Sequence, residues 1–192
     1  MGGLMELPAG LPAPVDDGAA AHLRGMQMPH VVLTSTSGRH VDLARLGPGR
    51  TVIYAYPRTG RPDSPVPDGW DAIPGARGCT PESCGFRDHF SELKSLGAAV
   101  FGLSTQDTDY QREAAHRLEL PFELLSDADL KLTAAMRLPT FEFEGATLLK
   151  RLSLVVREGQ VEHVFYPVFP PDRHAEEVLA WLATRLKRSQ VS

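Results

Sequence analysis

Two cysteines, Cys79 and Cys84, are the only thiols in this 192-residue chain, and four residues separate them. They lie in Gly78-Cys79-Thr80-Pro81-Glu82-Ser83-Cys84-Gly85-Phe86-Arg87-Asp88, where an apolar run and a long loop give way to a helical pattern. Thr80 followed by Pro81 predicts an N-cap and a first helical residue, because proline has no backbone N–H to lose there and its fixed φ suits the helix. Phe86, Phe90 and Leu93 then recur at helical spacing, with Arg87, Asp88, Glu92 and Lys94 on other faces. Cys79 is thereby expected beside a helix N-terminus. Unpaired N–H groups and the positive end of the helix dipole lower a thiol's pKa there and raise its thiolate fraction. The thiolate is the form that attacks. Cys84, about one turn further into an apolar stretch, is expected to be less acidic.

The spacing constrains what the two sulfurs can do together. Five residues apart in a regular helix, two Cα atoms are about 8.7 Å apart, beyond disulfide reach. Joining Cys79 to Cys84 therefore requires the first turn to unwind, unless Cys79 already lies outside the helix. A helix start that opens lets one sulfur react and the other resolve the product. Three readings stand at this point: a static disulfide, a zinc site and redox catalysis. A chain expected in the cytosol suits the first poorly. Zinc needs more ligands than His89 or His116 supply at paired spacing. Thioredoxin-type redox motifs place two residues between the cysteines, not four.

The segment Gly78 to Asp88 resembles the active-site helix of the peroxiredoxins, of the PrxQ or bacterioferritin-comigratory type. There the two cysteines are four residues apart and a Phe-Arg-Asp triplet follows. The likeness extends from about Gly25 to Leu182 and includes Lys150-Arg151-Leu152-Ser153-Leu154 and Val161-Glu162-His163-Val164-Phe165. It implies an α/β, thioredoxin-like fold, with a central mixed sheet, helices on both faces and an N-terminal β-hairpin. It also implies a thiol-dependent peroxidase acting on hydrogen peroxide and organic hydroperoxides. Cys79 would become a sulfenic acid, and Cys84 would condense with it to a Cys79–Cys84 disulfide. A thioredoxin or glutaredoxin system would reset the enzyme, with no cofactor and no metal, in a monomer or weak dimer.

By the same resemblance Arg151, opening a strand, supplies the cation near the thiolate; arginine suits this because it stays charged and offers a planar fork of donors. Pro57, directly after a strand, corresponds to the family's proline, and Gly78 joins it as a substrate-binding residue. The chain departs from the family's Pro-x-x-x-Thr/Ser-x-x-Cys pattern: Ala76 stands three residues before Cys79 and Ala72 seven before. An insertion separates Pro57 from Cys79, and Thr59 or Ser64 would restore the hydroxyl if the loop folds back. Two other readings of the thiol pair are a protein disulfide oxidoreductase and a non-enzymatic redox sensor.

The elements that must hold these residues follow from pattern. Thr51 to Tyr56 and Ala98 to Ser104 are compact apolar runs and predict buried central strands. Val31-Val32-Leu33 and Arg39-His40-Val41 predict a hairpin. A helix is expected from Asp107 to about Leu118, a short strand over Phe122 to Leu125, and a helix capped by Ser126-Asp127 that reaches Arg137. Phe141 to Lys150 is expected to be irregular. Arg151 to Val156 and Gln160 to Tyr166 predict a hairpin around Glu158-Gly159. The last helix starts near Asp172 and places Ala175, Val178, Leu179, Leu182 and Leu186 on one face. Strands alternating with helices imply a sheet covered on both sides. Tyr54, Tyr56 and Trp70 are expected to pack rather than react.

Between strand and reactive helix, residues 57 to 78 hold five prolines and four glycines, a long connection of the kind that is functional, disordered or a tolerated insertion. Residues 1–24 are expected to form an arm and 25–192 one domain. The net charge of −4 argues against a nucleic-acid binder; Arg185, Lys187 and Arg188 suit the C-terminal end of a helix dipole. No apolar run spans a bilayer, no secretory pattern opens the chain, and Glu6 stands where a myristoylation motif needs Ser or Thr. No membrane partner and a cytoplasmic location are therefore expected.

Overall fold

Successive residues of one central strand serve two different cores, and this organises the whole molecule. The computed structural model describes residues 5–189, with side chains to residue 185. In β3 (Arg50–Ala55) Ile53 and Ala55 face one cluster, with Leu103, Leu125, Leu132, Met136 and Leu154. Val52 and Tyr54, together with Tyr56, face the other, with Phe86, Val100, Leu124, Val155 and Val178. Side chains alternate along a strand, so a run buried on both faces is apolar throughout.

The strands are β1 (Val32–Ser35), β2 (His40–Asp42), β3, β4 (Ala98–Ser104), β5 (Glu123–Ser126), β6 (Thr140–Phe143), β7 (Ala146–Leu149), β8 (Leu152–Arg157) and β9 (Gln160–Phe165). Seven of them form one mixed sheet in the order β2-β1-β5-β4-β3-β8-β9. β4 runs parallel to β3 and β5, while β1 and β8 are antiparallel to β5 and β3. The helices are α1 (Cys79–Asp88), α2 (Phe90–Ser95), α3 (Thr108–Arg117), α4 (Lys131–Met136) and α5 (His174–Ser189). α4 lies on the first core, α1 and α5 on the second. This is the expected thioredoxin-like arrangement with its N-terminal hairpin β1–β2.

Several expectations shift on inspection. The helix after Cys79 is two helices, with His89 between them at φ −99° and ψ 9°. Asp127 caps its helix as expected, accepting from the Leu132 and Thr133 amides at 2.9 and 2.8 Å, but regular helix starts only at Lys131. Residues 141–150 are not irregular: β6 and β7 form a separate two-stranded hairpin. Its turn sets Glu144 and Gly145 at φ 49° and 76°, both left-handed, the geometry that matches the strand twist. Glu158-Gly159 turns β8–β9 at nearly the same angles, φ 52° and 75°; what hid this hairpin is its strands, four residues each and incompletely buried. A 3-10 turn, Pro171–Arg173, precedes α5. The side chains of Leu186, Lys187 and Arg188, and the Met1-Gly2 start, lie outside those described.

The N-terminal arm lies over the sheet and the reactive helix from residue 5 onward. Met5 Sδ is 4.0 Å from Cys84 Sγ. Asp17 accepts from Lys150 Nζ at 2.6 Å and from the Tyr166 hydroxyl at 2.7 Å. Ala20 and Leu23 are buried in the first core, so the packed body begins upstream of residue 25. Among the described residues no helix is long and apolar enough to cross a membrane.

Candidate active site

The N-terminus of α1 sits at the carboxyl end of β3, where β8 begins. Two contacts hold the helix down on the sheet. Phe86 stacks on Tyr54 with ring centroids 4.4 Å apart, and the Tyr54 hydroxyl donates to Ser83 Oγ at 3.0 Å. Burying a side chain the size of Phe86 contributes about 2 kcal/mol. Gly102 leaves room for Tyr54: a Cβ there would stand 2.9 Å from the hydroxyl and 2.4 Å from Leu124 Cδ2.

The helix starts two residues earlier than Thr80-Pro81 predicts. Gly78 is the N-cap, at φ 107°, and Cys79 is the first helical residue. Glycine is required at 78 twice over. An L side chain rarely adopts that φ, and a Cβ would stand 2.3 Å from Pro171 Cγ and 2.8 Å from Leu7 Cδ2. Pro81 still falls in the first turn, where its missing N–H costs nothing.

Cys79 and Cys84 are both buried free thiols. Arg151 Nη2 donates to Cys79 Sγ at 3.2 Å, and the thiol donates to the Ala76 carbonyl at 3.6 Å. The same guanidinium nitrogen lies 3.3 Å from the carbonyls of Ala76 and Arg77, tying the end of the loop to the start of β8. Nη1 pairs with Glu82, one turn into the helix. Both partners are fully buried, leaving Glu82 Oε1 and Arg151 Nε without hydrogen-bond partners among the described residues.

This geometry overturns one expectation. Burial pushes the Cys79 thiol up from its ordinary value; the Arg151 guanidinium pulls it down, the Glu82 carboxylate pushes it up again, and the Arg58 backbone N–H pulls it down. The balance lies above, not below, a free thiol, because the closed pocket removes water from the sulfur and a buried carboxylate shares the cation. Burial likewise raises the Glu82 carboxyl, against the opposing pull of Arg151. Cys84 is also raised, by burial first, as its apolar position suggests.

In front of Cys79 lies a cavity of about 270 Å³. Gly78 and Thr59 line it, with Thr80, Ser64, Gln106 and Tyr110 beside them. The loop from 57 to 78 does fold back, and it forms one wall. Gln106 and Tyr110 hold it there: the Thr59 amide donates to Gln106 Oε1 at 2.9 Å, and the Thr59 carbonyl accepts from the Tyr110 hydroxyl at 3.0 Å. Pro57, expected as a substrate-binding residue, is not among the lining residues; its carbonyl accepts from Ser104 Oγ at 3.0 Å. Trp70 packs against the β6–β7 hairpin and also reaches the cavity. Tyr56 donates to Gln111 Oε1 at 3.0 Å within the core. Glu82, Gln106 and Tyr110 carried no signal that periodicity could detect; only an acid placed one turn after a nucleophile hinted at the first. Among the described residues no three His, Cys, Asp or Glu side chains are grouped so as to hold a metal ion.

Comparison with known proteins agrees with this geometry. The Redoxin family model matches residues 23–179. Peroxiredoxin Q, chloroplastic, of Sedum lineare is 31% identical over 160 residues, covering 83% of this chain and 77% of that protein. The corresponding protein of Oryza sativa subsp. japonica is 31% identical over 157 residues, 81% of this chain, and the chain spans 64% of its length. Among solved structures, peroxidoxin BcpB from Mycobacterium tuberculosis superposes with a TM-score of 0.69 at 27% identity, covering 84% of this chain and 96% of that one. Xanthomonas campestris peroxiredoxin Q gives 0.64 at 26% identity, covering 80% and 90%.

Proposed function

The chain belongs to the Redoxin family, as a peroxiredoxin of the Q type, and we propose that it is a thiol-dependent peroxidase in which Cys79 attacks the peroxide and Cys84 resolves the product. The observation that carries this reading is Arg151 Nη2 at 3.2 Å from Cys79 Sγ, with Cys79 lining a cavity. A sulfur, a fixed cation and a space for substrate coincide there.

The Cys79 thiolate attacks one peroxide oxygen and the O–O bond breaks. The second oxygen leaves with the bonding pair as hydroxide or alkoxide and takes up a proton. Sulfur is oxidised to a sulfenic acid while the peroxide is reduced to water or an alcohol. Arg151 stabilises negative charge on sulfur before attack and on the oxygens as it passes to them, which lowers the barrier where charge develops. The Cys84 thiol then attacks the sulfenic sulfur, water leaves, and the two sulfurs join. Both cysteines lie in α1, so its first turn unwinds for the sulfurs to meet. A dithiol reductant of the thioredoxin or glutaredoxin class exchanges with the disulfide and restores both thiols.

The test is peroxide consumption by the full chain with a thioredoxin system as reductant. Cys79→Ser is expected to lower turnover by at least about 10³-fold, the scale for loss of a nucleophile. Cys84→Ser should still lose one equivalent of thiol to peroxide but no longer cycle on thioredoxin. Undiminished turnover in Cys79→Ser rejects the mechanism.

A further inference from the structure

The cavity over Cys79 has an uneven charge. Arg58, Arg61 and Arg77 line it, and no carboxylate does. Glu144, which pairs with Arg58 at 3.2 Å, and Asp71, which pairs with Arg77 at 3.4 Å, lie outside the wall and are 59% and 46% exposed. Solvent screens a carboxylate as exposed as Glu144 strongly, so it cancels only part of the Arg58 field inside the cavity. Arg61 has no carboxylate partner among the described residues; its guanidinium lies 4.5 Å over the Tyr110 ring.

These cations are also held in place. Arg58 sits 4.7 Å over Trp70 and 5.1 Å over Phe143, between the loop and the β6–β7 hairpin. Stacking uses the face of a guanidinium, so the N–H groups of Arg58 other than the Nη2 that holds Glu144 can still meet an anion. The rest of the loop wall is apolar, with Val66 between Pro65 and Pro67 and the Trp70 ring beyond. At about 30 Å³ per water the cavity has room for roughly nine waters, or one small ring with substituents. A lone hydrogen peroxide uses little of that space.

From this we propose that the 57–78 loop makes the enzyme selective for organic hydroperoxides that carry a carboxylate on an apolar body. The hydroperoxide end meets Cys79, the body lies along Val66 and Trp70, and the carboxylate reaches Arg58 and Arg61. The proposal rests on Cys79 being the peroxide-reducing thiol and adds which peroxides it prefers.

A matched pair tests it: cumene hydroperoxide and its para-carboxylate, each compared with its rate of reaction with N-acetylcysteine. At low salt the anionic member is expected to show the higher normalised kcat/KM, with the advantage shrinking as ionic strength rises. Arg61→Gln should lower the anionic-to-neutral ratio by about five-fold, the scale of one partly exposed ion pair, and Arg61→Lys should retain most of it. Arg58→Gln should lower the ratio in the same direction. A wild-type ratio no higher than that of N-acetylcysteine, or one that survives both glutamine variants, overturns the proposal.

Alkylation separates this from the peroxidase reading. In a Cys84→Ser background, the rate of Cys79 alkylation by iodoacetate relative to iodoacetamide should exceed that of N-acetylcysteine and fall with Arg61→Gln. If that preference holds while no peroxide is consumed, the peroxidase reading fails and the anion-selective cavity stands. If peroxides are consumed with no charge preference in either assay, the selectivity fails and the peroxidase stands.

Discussion

Arg151 carries one positive charge and faces two buried acids, Cys79 and Glu82. Burial raises both, and the carboxylate adds to the rise at sulfur, so Glu82 costs Cys79 part of the cation. The consequence for pH follows from the sign. A raised pKa keeps the thiol protonated at pH values where free cysteine has begun to ionise. The rate of Cys79 alkylation in a Cys84→Ser protein is therefore expected to go on climbing above pH 9.0, the ordinary thiol value. Glu82→Gln removes the opposing charge while keeping a side chain that can still accept from Arg151. It should shift that alkylation profile to lower pH, and a profile that stays put or moves upward contradicts the shared-cation account.

At the scale of elements, the site depends on how α1 begins. Gly78 turns the chain through φ 107° under Pro171 and Leu7, and that turn delivers Cys79 to Arg151. Gly78→Ala meets both the strained φ and a Cβ 2.3 Å from Pro171 Cγ. Together these should destabilise the fold by about 2–3 kcal/mol. For a chain of this size that is a fall in Tm of roughly 4–12 °C, readable by calorimetry, with peroxide turnover reduced as the helix start shifts. A stable, fully active Gly78→Ala would show that the start of α1 has slack. The arm covers this same region through Met5 and Leu7, so part of α1's cover comes from residues upstream of the Redoxin match.

Across the whole molecule, the edge hairpin β1–β2, paired to β5 through β1, is also fastened there by one carboxylate. Glu123 accepts from Ser35 Oγ at 2.7 Å and from Arg39 Nε at 3.2 Å, and it also pairs with Ser37 and the second Arg39 nitrogen. The Arg39 hydrogen bonds hold its pKa down at about 2, from an ordinary 4.5. A depressed carboxylate contributes stability that is complete above its unfolded pKa and lost as pH falls through the folded one. Stability to denaturant should therefore fall as pH drops from 4.5 to 2, and Glu123→Gln should flatten that part of the profile. An unchanged acid limb in the variant would place the acid sensitivity elsewhere.

Local pattern carried much of this protein. The thiol pair, the helix that holds it, the buried central strands and the β8–β9 hairpin follow from residue spacing and turn chemistry, because periodicity records which face of an element is covered. The β6–β7 hairpin turns on the same Glu-Gly pair as β8–β9, at the same left-handed φ, but its strands are only four residues each and incompletely buried, too short to show a clear alternation. The active-site contact between Arg151 and Cys79 joins residues 72 positions apart, and only family resemblance suggested it in advance. The fold alone decided that Glu82 would share that cation, that burial would outweigh the helix start at the sulfur, and that the loop arginines would face the cavity. Those outcomes depend on how much water and charge surround a group once distant segments have packed, and no stretch of chain holds that information by itself.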